Sequence, residues 1–257
     1  MTKWIDTVKA GDAIKKLFAD NKQSIAHFGQ TVNQVFEAFT FCAVIKWYEQ
    51  QGWKVEIVNP IDTKTKKTCT LVKLKFSTRG RPSSYSYARC SKDGQPTIEV
   101  RHQLRVSTHH YRGGYPLANI CLDVAIVQVN DGDLDFFGTD DALPNSQLLS
   151  FGEAKHMSAY AELVASFIGM VHELQPLRLK CIRRGKWSQG HVAPFLYVSG
   201  HLYSTAKGIY ATIRRRKYDI DVYCDTVELA QGFKLPKHNP PAMVKTPVTT
   251  TSGGGGN

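Results

Sequence analysis

The apolar positions along the chain follow two spacings, and each spacing predicts one kind of element. Apolar residues three and four positions apart form one face of a helix, whereas alternating or short continuous apolar runs between turn residues are typical of strands. The helical spacing predicts helices at residues 6–22, 24–51, 159–174 and 204–217. The strand pattern covers residues 53–59, 71–77, 97–107, 119–129, 148–156, 194–199 and 219–224. Helices and strands mixed in this order predict an α/β fold.

The strand at residues 119–129 carries one acid in an otherwise apolar segment. Leu122, Val124 and Ile126 are predicted on one face and Asp123 on the other, where further apolar residues follow it. Apolar residues on both faces indicate a central strand that is covered on both sides. Aspartate is disfavoured in strands and costly to bury. Asp123 is therefore either a structural residue that caps a turn or a functional carboxylate.

The strand at residues 148–156 begins with apolar residues and ends with two opposite charges. Alternation places Leu149, Phe151, Glu153 and Lys155 on one face. The two charges are then expected at the rim of the sheet. A carboxylate there can hold a metal ion, and an ammonium can stand over a reacting group. The alternative is an ordinary exposed ion pair, since charged side chains are common on surfaces.

A third acid, Glu37, lies within the predicted helix at residues 24–51, between Phe36 and Phe39. A carboxylate in such apolar surroundings needs a partner or a solvated cleft. The alternative is an exposed position on the helix. Glu37 is thus a further candidate for the same site.

Composition limits the class of protein. With 257 residues and 42% hydrophobic content, the chain can bury one good-sized core, so a single domain is expected over residues 1–234. Residues 235–257 are rich in proline, threonine and glycine and are predicted to form a disordered tail. The sequence contains no apolar run of about 18 residues, so no transmembrane helix is expected. The N-terminus lacks the apolar region of a signal peptide.

The cysteines and the short motifs exclude several classes of site. Six scattered cysteines without a C-x-x-C pair argue against a zinc ribbon. They are typical of reduced thiols, and a cytoplasmic protein is expected. The chain contains no G-x-x-x-x-G-K-[ST], H-E-x-x-H or G-x-S-x-G motif, so the enzyme classes that these motifs mark are poorly supported.

The charge of the chain favours a polyanionic partner. A net charge of +11 and a pI of about 9.3 suit nucleic acid or an anionic membrane surface, although a basic protein without such a partner is the alternative. In residues 78–89, arginines that can neutralise phosphates alternate with tyrosines that can stack on bases. The predicted nucleic-acid-binding residues are Arg79, Arg81, Arg183, Arg184, Lys186, Arg214, Arg215 and Arg216. Each cluster is alternatively a surface loop or a solvated face, and the helix dipole also favours cations at a helix C-terminus.

Two segments carry a resemblance to a known family. Asp123 in Asn-Ile-Cys-Leu-Asp-Val-Ala-Ile-Val and Glu153-Ala154-Lys155 in Phe-Gly-Glu-Ala-Lys resemble the PD-(D/E)XK, or restriction-endonuclease-like, nuclease superfamily. The resemblance covers roughly residues 24–200. Leu122 stands where proline is common in the motif. The two acids are 30 positions apart, which implies a protruding hairpin or an insertion.

This resemblance implies a central mixed β-sheet flanked by helices and a metal-dependent endonuclease that hydrolyses phosphodiester bonds. Asp123, Glu153 and the backbone carbonyl of Ala154 would hold Mg²⁺ or Mn²⁺, which prefer hard oxygen ligands. Lys155 would position or deprotonate the attacking water or stabilise the transition state. Glu37 resembles the acid that many members carry on the first core helix, which could reach the metal through water. The implied catalytic residues are thus Asp123, Glu153, Lys155 and Glu37.

The resemblance also indicates partners. DNA is the expected substrate, and RNA-cutting members and non-catalytic nucleic-acid-binding members of the same fold are the alternatives. No membrane partner is implied. A lone nuclease of this size suggests a restriction, defence or mobile-element role. Many relatives dimerise to cut both strands, so a homodimer is compatible with the resemblance.

Overall fold

The computed structural model describes residues 6–77, 79–112, 117–129, 134, 136, 142–180 and 190–224. The predicted tail at residues 235–257 and the predicted nucleic-acid-binding residues Arg183, Arg184 and Lys186 lie outside the described residues. Within them, no helix is both long enough and apolar enough to cross a bilayer. Five cysteines lie in this part of the chain, and none of them forms a disulfide there.

Four α-helices and nine strands lie in the described ranges. The helices are α1 Thr7–Asp20, α2 Val32–Gln50, α3 Ala161–Leu174 and α4 Ser204–Arg215. The strands are β1 Ser24–His27, β2 Lys54–Val58, β3 Leu71–Lys73, β4 Tyr87–Ser91, β5 Ile98–Ser107, β6 Asn119–Gln128, β7 Leu148–Lys155, β8 Phe195–Val198 and β9 Asp221–Tyr223. Short 3-10 turns occupy Pro82–Ser84, Asn145–Gln147 and Pro176–Leu179.

Seven of these strands form one mixed sheet in the order β2-β4-β5-β6-β7-β8-β9. Neighbours from β2 to β7 are antiparallel, whereas β7, β8 and β9 run parallel to one another. Parallel neighbours need a crossover, and α3 and α4 provide the helices in the β7–β8 and β8–β9 connections. The remaining strands, β1 and β3, pair in parallel as a separate two-stranded sheet.

Helices cover both faces of the large sheet. On one face, called here the α1–α2 side, residues such as Ile14, Phe36 and Val100 form a buried cluster. On the opposite face, the α3–α4 side, Phe167 and Leu196 belong to a second cluster. Burial of these two apolar layers is the main stabilising contribution to such a fold. The predicted α/β fold with a mixed central sheet flanked by helices is confirmed.

The helix predicted at residues 24–51 begins later than expected. Ser24–His27 is β1, and α2 starts only after Thr31. The Thr31 hydroxyl accepts the Gln34 backbone N–H, and the Gln34 side chain accepts the Thr31 N–H, so the two residues form a capping box. This reciprocal cap fixes the start of the helix directly after Thr31. Gly29 before it has a φ of 126°, which helical residues do not adopt.

The region between residues 71 and 91 also differs from the prediction. Strand β3 ends at Lys73, and Lys75, expected on a polar face, is buried. Part of the loop predicted at residues 78–89 is β4, which pairs with both β2 and β5. The buried positions of β4 are Ala88 and Cys90. These small residues give a weak alternation signal beside the arginines and tyrosines.

Strands β5 and β6 exchange faces partway along their length. Val100 and Val124 pack on the α1–α2 side, whereas Leu104 and Leu122 pack on the α3–α4 side. Strict alternation would keep each strand's even-numbered residues on one face, so the predicted grouping of Leu122 with Val124 is wrong. The change coincides with Gln103, which has a left-handed φ of 54° and lies between the paired positions His102–Val124 and Leu104–Leu122. The sheet is therefore irregular at Asp123.

Strand β7 has one departure from the predicted alternation. Phe151 packs on the α3–α4 side, but Leu149 packs on the α1–α2 side, because the β6–β7 register is irregular between Ile126 and Val127. Farther along, Gly152 lies under the buried ring of Phe195, and a Cβ there would overlap this ring. Glycine at this position therefore lets β8 approach β7 closely just before the charged end of the strand.

Candidate active site

Asp123 is a buried carboxylate held by three donors. Its side chain lies in the middle of β6 with only 6% of its surface exposed. Its Oδ2 accepts the Ala154 backbone N–H at 2.9 Å and the Lys155 ammonium at 3.0 Å, and its Oδ1 accepts the Gln103 amide at 2.9 Å. These bonds satisfy a charge that would otherwise be costly to bury. They also fix β6 against the end of β7.

Glu153 and Lys155 follow on the adjacent strand. The Lys155 Nζ lies 2.7 Å from Glu153 Oε2 and 3.0 Å from Asp123 Oδ2, so one ammonium bridges two carboxylates. Glu153 is buried, whereas the Lys155 side chain keeps 38% of its surface exposed. The cluster therefore reaches solvent on the side of the lysine. An exposed surface ion pair, the alternative interpretation of this strand, does not describe two buried carboxylates.

Glu37 joins the cluster from helix α2. Its Oε2 accepts a 3.0 Å hydrogen bond from the Gln103 amide, which also bonds Asp123. The Nε2 of buried His102 lies 3.9 Å from the same oxygen. Glu37 is 18% exposed, so it is neither an open surface residue nor a fully buried one. One helix and three strands thus bring Glu37, Gln103, Asp123, Glu153 and Lys155 together.

The pKa values of the two glutamates in the cluster are raised above the ordinary value. Burial raises the pKa of Glu37 to about 7, the charge of Asp123 adds to the rise, and the Gln103 bond and the Lys155 charge oppose it. Burial and the charge of Asp123 likewise raise the pKa of Glu153 to about 7, against the opposing effect of Lys155. Both groups are therefore suited to exchange protons near neutral pH.

The two basic groups next to these acids shift in opposite directions. Burial disfavours the ammonium of Lys155, but the charges of Asp123 and Glu153 outweigh it and raise the pKa of Lys155. Burial lowers the pKa of His102 to about 4, so its imidazole is neutral at neutral pH. The cluster thus has one cation, Lys155, for three carboxylates.

The contribution of Glu37 and Glu153 to the stability of the apo protein is expected to fall as the pH rises from about 4.5 to about 7. Folded Glu37 and Glu153 keep their protons up to about pH 7, whereas the unfolded chain releases them near the ordinary pKa of 4.5. Since the folded state binds more protons in this window, the free energy of unfolding falls with rising pH. Thermal unfolding of the wild type and of the Glu37→Gln/Glu153→Gln double variant measures this contribution as a difference.

The two proteins must be compared because His102 changes the free energy of unfolding with pH in the opposite direction. Its pKa is about 4 in the folded protein and 6.5 ordinarily, so its contribution to stability increases with pH over part of the same window. The double variant keeps His102 and should lose only the carboxylate contribution. Parallel pH profiles for the two proteins would contradict raised pKa values of Glu37 and Glu153.

The donor set of the cluster suits a hard divalent cation. Among the residues that the structure describes, no group of three or more His, Cys, Asp or Glu side chains forms a metal site by itself. Asp123 and Glu153 offer carboxylate oxygens on adjacent strands, and both contact the same cation, Lys155. Oxygen ligands of this kind fit Mg²⁺ or Mn²⁺. The predicted ligand set of Asp123, Glu153 and the Ala154 carbonyl stays a prediction.

The predicted nucleic-acid-binding residues lie in different places. Arg79 and Arg81 are exposed on the segment before the Pro82–Ser84 turn, and the Pro82 carbonyl accepts a 3.4 Å hydrogen bond from Arg101, two residues before Gln103. This segment therefore lies beside β5. Its contact with nucleic acid stays a prediction.

The basic residues of α4 lie farther from the cluster. The Tyr203 N–H that precedes α4 bonds to the Ala159 carbonyl, close after β7. The opposite end of this 12-residue helix carries Arg214, Arg215 and Arg216. By the rise per residue, that end is about 18 Å from the N-terminal end of the helix. Arg214 lies 3.9 Å from Asp221, and Arg216 bonds the Tyr218 hydroxyl. These three arginines are thus not part of the acidic cluster.

Gln103 was not among the predicted site residues. It is 9% exposed and contacts two of the predicted acids through one amide nitrogen. Its neighbours Ile98, Val100, Leu104 and Val106 alternate regularly in the sequence. A polar residue between apolar positions of a strand normally indicates a solvent-facing side chain. The one available signal was therefore indistinguishable from an ordinary exposed residue.

Comparisons with known proteins add little to this geometry. No protein-family model matches the chain, and no curated protein matches it. Among solved structures, the chain is similar to P. aeruginosa NucC in its cAAA-bound form, with 13% sequence identity and a TM-score of 0.28. That match covers 79% of this chain and 67% of NucC. A similarity of this extent assigns neither a fold family nor an activity to the chain.

Proposed function

We propose that this chain is a metal-dependent endonuclease of the restriction-endonuclease-like type, with a single nuclease domain within residues 1–234 and DNA as its substrate. The observation that carries the proposal is the arrangement of Asp123 and Glu153. The two carboxylates come from adjacent strands, are buried, and share one ammonium, that of Lys155. Metal-dependent hydrolysis of a phosphodiester can use this combination, because carboxylates can hold the cation and an ammonium can stabilise negative charge in the transition state.

The carboxylates support the proposal as metal ligands. Asp123 and Glu153 would hold Mg²⁺ or Mn²⁺ together with the carbonyl of Ala154. When bound, the cation supplies Lewis-acid chemistry, because it polarises the scissile phosphate and acidifies water. The raised pKa of Glu153 fits this role, since burial and the negative charge of Asp123 both work against a bare carboxylate. A divalent cation would relieve that repulsion.

Lys155 and Glu37 would fill the two remaining roles, charge stabilisation and proton transfer. The raised pKa of Lys155 keeps it an ammonium at neutral pH, which favours a role in stabilising negative charge on the phosphate over a role as a base. Glu37, with a pKa of about 7, is suited to accept a proton from water near neutral pH. In this proposal Asp123 and Glu153 bind the cation, Lys155 stabilises charge, and Glu37 takes up the proton.

Cleavage assays with four substrates test the proposal. Purified protein is incubated with supercoiled plasmid, linear duplex, single-stranded DNA and RNA, with Mg²⁺, with Mn²⁺ and with EDTA. Nicking or linearisation of plasmid that EDTA abolishes is the expected result. Cleavage restricted to RNA would identify an RNA-cutting member of the same fold. Tight binding of nucleic acid without cleavage under any condition would identify a non-catalytic binding module and refute the enzyme.

The basic segment that contains Arg79 and Arg81 is expected to contact the phosphate backbone. Each lost phosphate contact should reduce the salt dependence of binding by about one unit of slope. Arg79→Gln/Arg81→Gln should therefore weaken DNA binding at all sequences and flatten the slope by up to about two units. Fluorescence anisotropy at several salt concentrations measures this change.

Two further pairs of substitutions serve as comparisons. Arg215→Gln/Arg216→Gln, at the far end of α4, should have a smaller effect, and Lys9→Gln/Lys16→Gln, on the exposed side of α1, should have none. An Arg79/Arg81 variant that keeps the wild-type slope would assign that segment to plain solvated surface. A larger effect at Arg215 and Arg216 would place the DNA along α4 instead.

A further inference from the structure

The backbone of Gln103 stands out among the described residues. Four non-glycine residues there have a left-handed φ: Lys22, Lys66, Gln103 and Lys217. The three lysines are exposed and lie outside the strands, whereas Gln103 is buried within the ten-residue strand β5. A left-handed glutamine within a strand is sterically disfavoured. Such a conformation persists only where surrounding contacts compensate for it, which occurs most often at functional sites.

The side-chain amide of Gln103 has the contacts that compensate. Its Nε2 donates to Glu37 Oε2 at 3.0 Å and to Asp123 Oδ1 at 2.9 Å. Its Oε1 accepts from the Cys121 thiol at 3.4 Å. Both amide protons are thus directed at carboxylates, and the oxygen is directed at a donor. The opposite amide orientation would set an oxygen against two acids, so the orientation is fixed by chemistry.

The bridge joins carboxylates of two elements that pack against each other through the apolar core of the α1–α2 side. Glu37 belongs to helix α2 and Asp123 to strand β6, and both side chains are acidic, so they repel. The amide between them satisfies one oxygen of each. The left-handed backbone turns the side chain toward both acids at the point where β5 changes faces. A residue that only filled space would need neither the strain nor the two bonds.

We infer that Gln103 is a positioning residue, which holds Glu37 next to Asp123 at the proposed cation-binding end of the sheet. The inference rests on the proposed function. Without the amide, Glu37 has no donor to keep it beside Asp123 and can turn toward solvent. Residues that orient metal-binding and catalytic groups through hydrogen bonds typically change metal affinity or activity by about 10- to 100-fold when they are replaced.

Two substitutions at Gln103 separate its donor role from its volume. Gln103→Met keeps an unbranched side chain of similar size and removes both hydrogen bonds. Gln103→Glu keeps the shape and replaces the donor by a fourth carboxylate in the cluster. Both should lower cleavage by about 10- to 100-fold with little change in DNA affinity. Calorimetry with Mn²⁺ should show weaker binding by about tenfold for Gln103→Met. Added Mn²⁺ should raise the melting temperature of Gln103→Glu more than that of Gln103→Met.

A double-mutant cycle tests the bridge without any cleavage assay. Gln103→Met and Glu37→Met, each of which removes one partner of the hydrogen bond between Gln103 and Glu37, are compared singly and together by thermal unfolding of the apo protein. If the amide holds Glu37, the two substitutions are non-additive, because either one removes the same bond. Additive changes in melting temperature overturn the bridge. If the wild type neither cleaves nucleic acid nor binds Mn²⁺, the proposed function fails, whereas non-additivity in this cycle would still support the contact.

Control variants keep the test decisive. Gln147→Met replaces another buried glutamine, whose amide has no hydrogen-bond partner among the described residues, and should leave cleavage and Mn²⁺ affinity unchanged. If Gln103→Met does not fold, Gln103→Asn replaces it, because asparagine tolerates a left-handed backbone but its side chain is one methylene too short to bridge. A stable Gln103→Asn or Gln103→Met protein with wild-type cleavage and Mn²⁺ affinity refutes the positioning role.

Discussion

Replacing Glu153 with glutamine is expected to reduce metal-dependent cleavage by about 10³-fold or more while the protein stays folded. The amide keeps the volume of the side chain and still offers an oxygen to the Lys155 ammonium, now 2.7 Å from Glu153 Oε2. It removes the negative charge that would hold the cation, and a metal ion contributes several kcal/mol to stabilising such a transition state. Cleavage of supercoiled plasmid under single-turnover conditions measures the loss.

The same variant should be at least as stable as the wild type without metal. Above pH 7, Glu153 is a buried anion next to Asp123, and neutralising it removes their repulsion. Asp123→Ala should behave differently, because Asp123 accepts bonds from Ala154, Gln103 and Lys155, and its loss leaves a buried backbone N–H without a partner.

A second carboxylate offers a matched control for this experiment. Glu49 also bonds a lysine, Lys46, at 2.6 Å, but on helix α2 away from the cluster. Glu49→Gln should cleave like the wild type. If Glu153→Gln cleaves normally as well, Glu153 is not a metal ligand, and the assignment of the site is wrong.

Replacing Lys155 with methionine is expected to abolish most cleavage and to leave metal binding intact. Methionine keeps an apolar stem and removes the ammonium, which lies 3.0 Å from Asp123 and 2.7 Å from Glu153. Because this ammonium occupies the space between the two proposed ligands, its removal should leave the affinity for Mn²⁺ unchanged or increase it. Cleavage should fall by about 10²-fold or more, the usual effect of losing an electrostatic or acid–base group.

The stability of this variant should depend on the metal. Without Lys155 two carboxylates face each other with no counter-charge, so the apo protein should lose on the order of 1 kcal/mol, a value reduced by the partial exposure of the lysine. Mn²⁺ should restore that loss. Lys46→Met is the control, since Lys46 is 37% exposed and Lys155 is 38% exposed.

Two outcomes would change the interpretation of Lys155. Normal cleavage by Lys155→Met, with Glu153→Gln inactive, would indicate a metal site that works without the lysine. Loss of Mn²⁺ affinity as complete as in Glu153→Gln would indicate that Lys155 is a structural partner of the carboxylates. In the second case the strand carries an ion pair and no catalytic lysine.

The elements that frame the site could be predicted because their apolar patterns are long and regular. Asp123 was conspicuous as an acid in an apolar strand, and Glu153 and Lys155 as charges at the end of another. The two helices over the α3–α4 side were also predicted. These features depend on local sequence alone, since amphipathic spacing and strand alternation determine which side chains are covered.

Contacts between distant segments could not be predicted in the same way. Ser24–His27 looked helical because its residues continue the apolar spacing of α2, and it is a strand because β3 pairs with it. Arg178 begins a segment rich in basic residues, which is typical of an exposed turn, but it is buried and pairs with Asp219. The role of Gln103 could not be predicted from the local pattern. Apolar residues continue at even-numbered positions on both sides of it, although the strand changes faces there.

The pairing of β7 with β8 has a consequence for folding of the chain during its synthesis. The proposed cutting centre draws on α2, β5, β6 and β7, and Glu37 and Lys155 are more than a hundred positions apart in the chain. Strand β7 is also held by β8, its parallel neighbour, whose Phe195 packs on Gly152. Such long-range pairings form late in folding, after the loops between them have closed. We therefore expect that a chain still emerging from the ribosome does not assemble the acidic cluster fully until β8 has been made, so that the proposed activity would begin only after most of the chain has been synthesised.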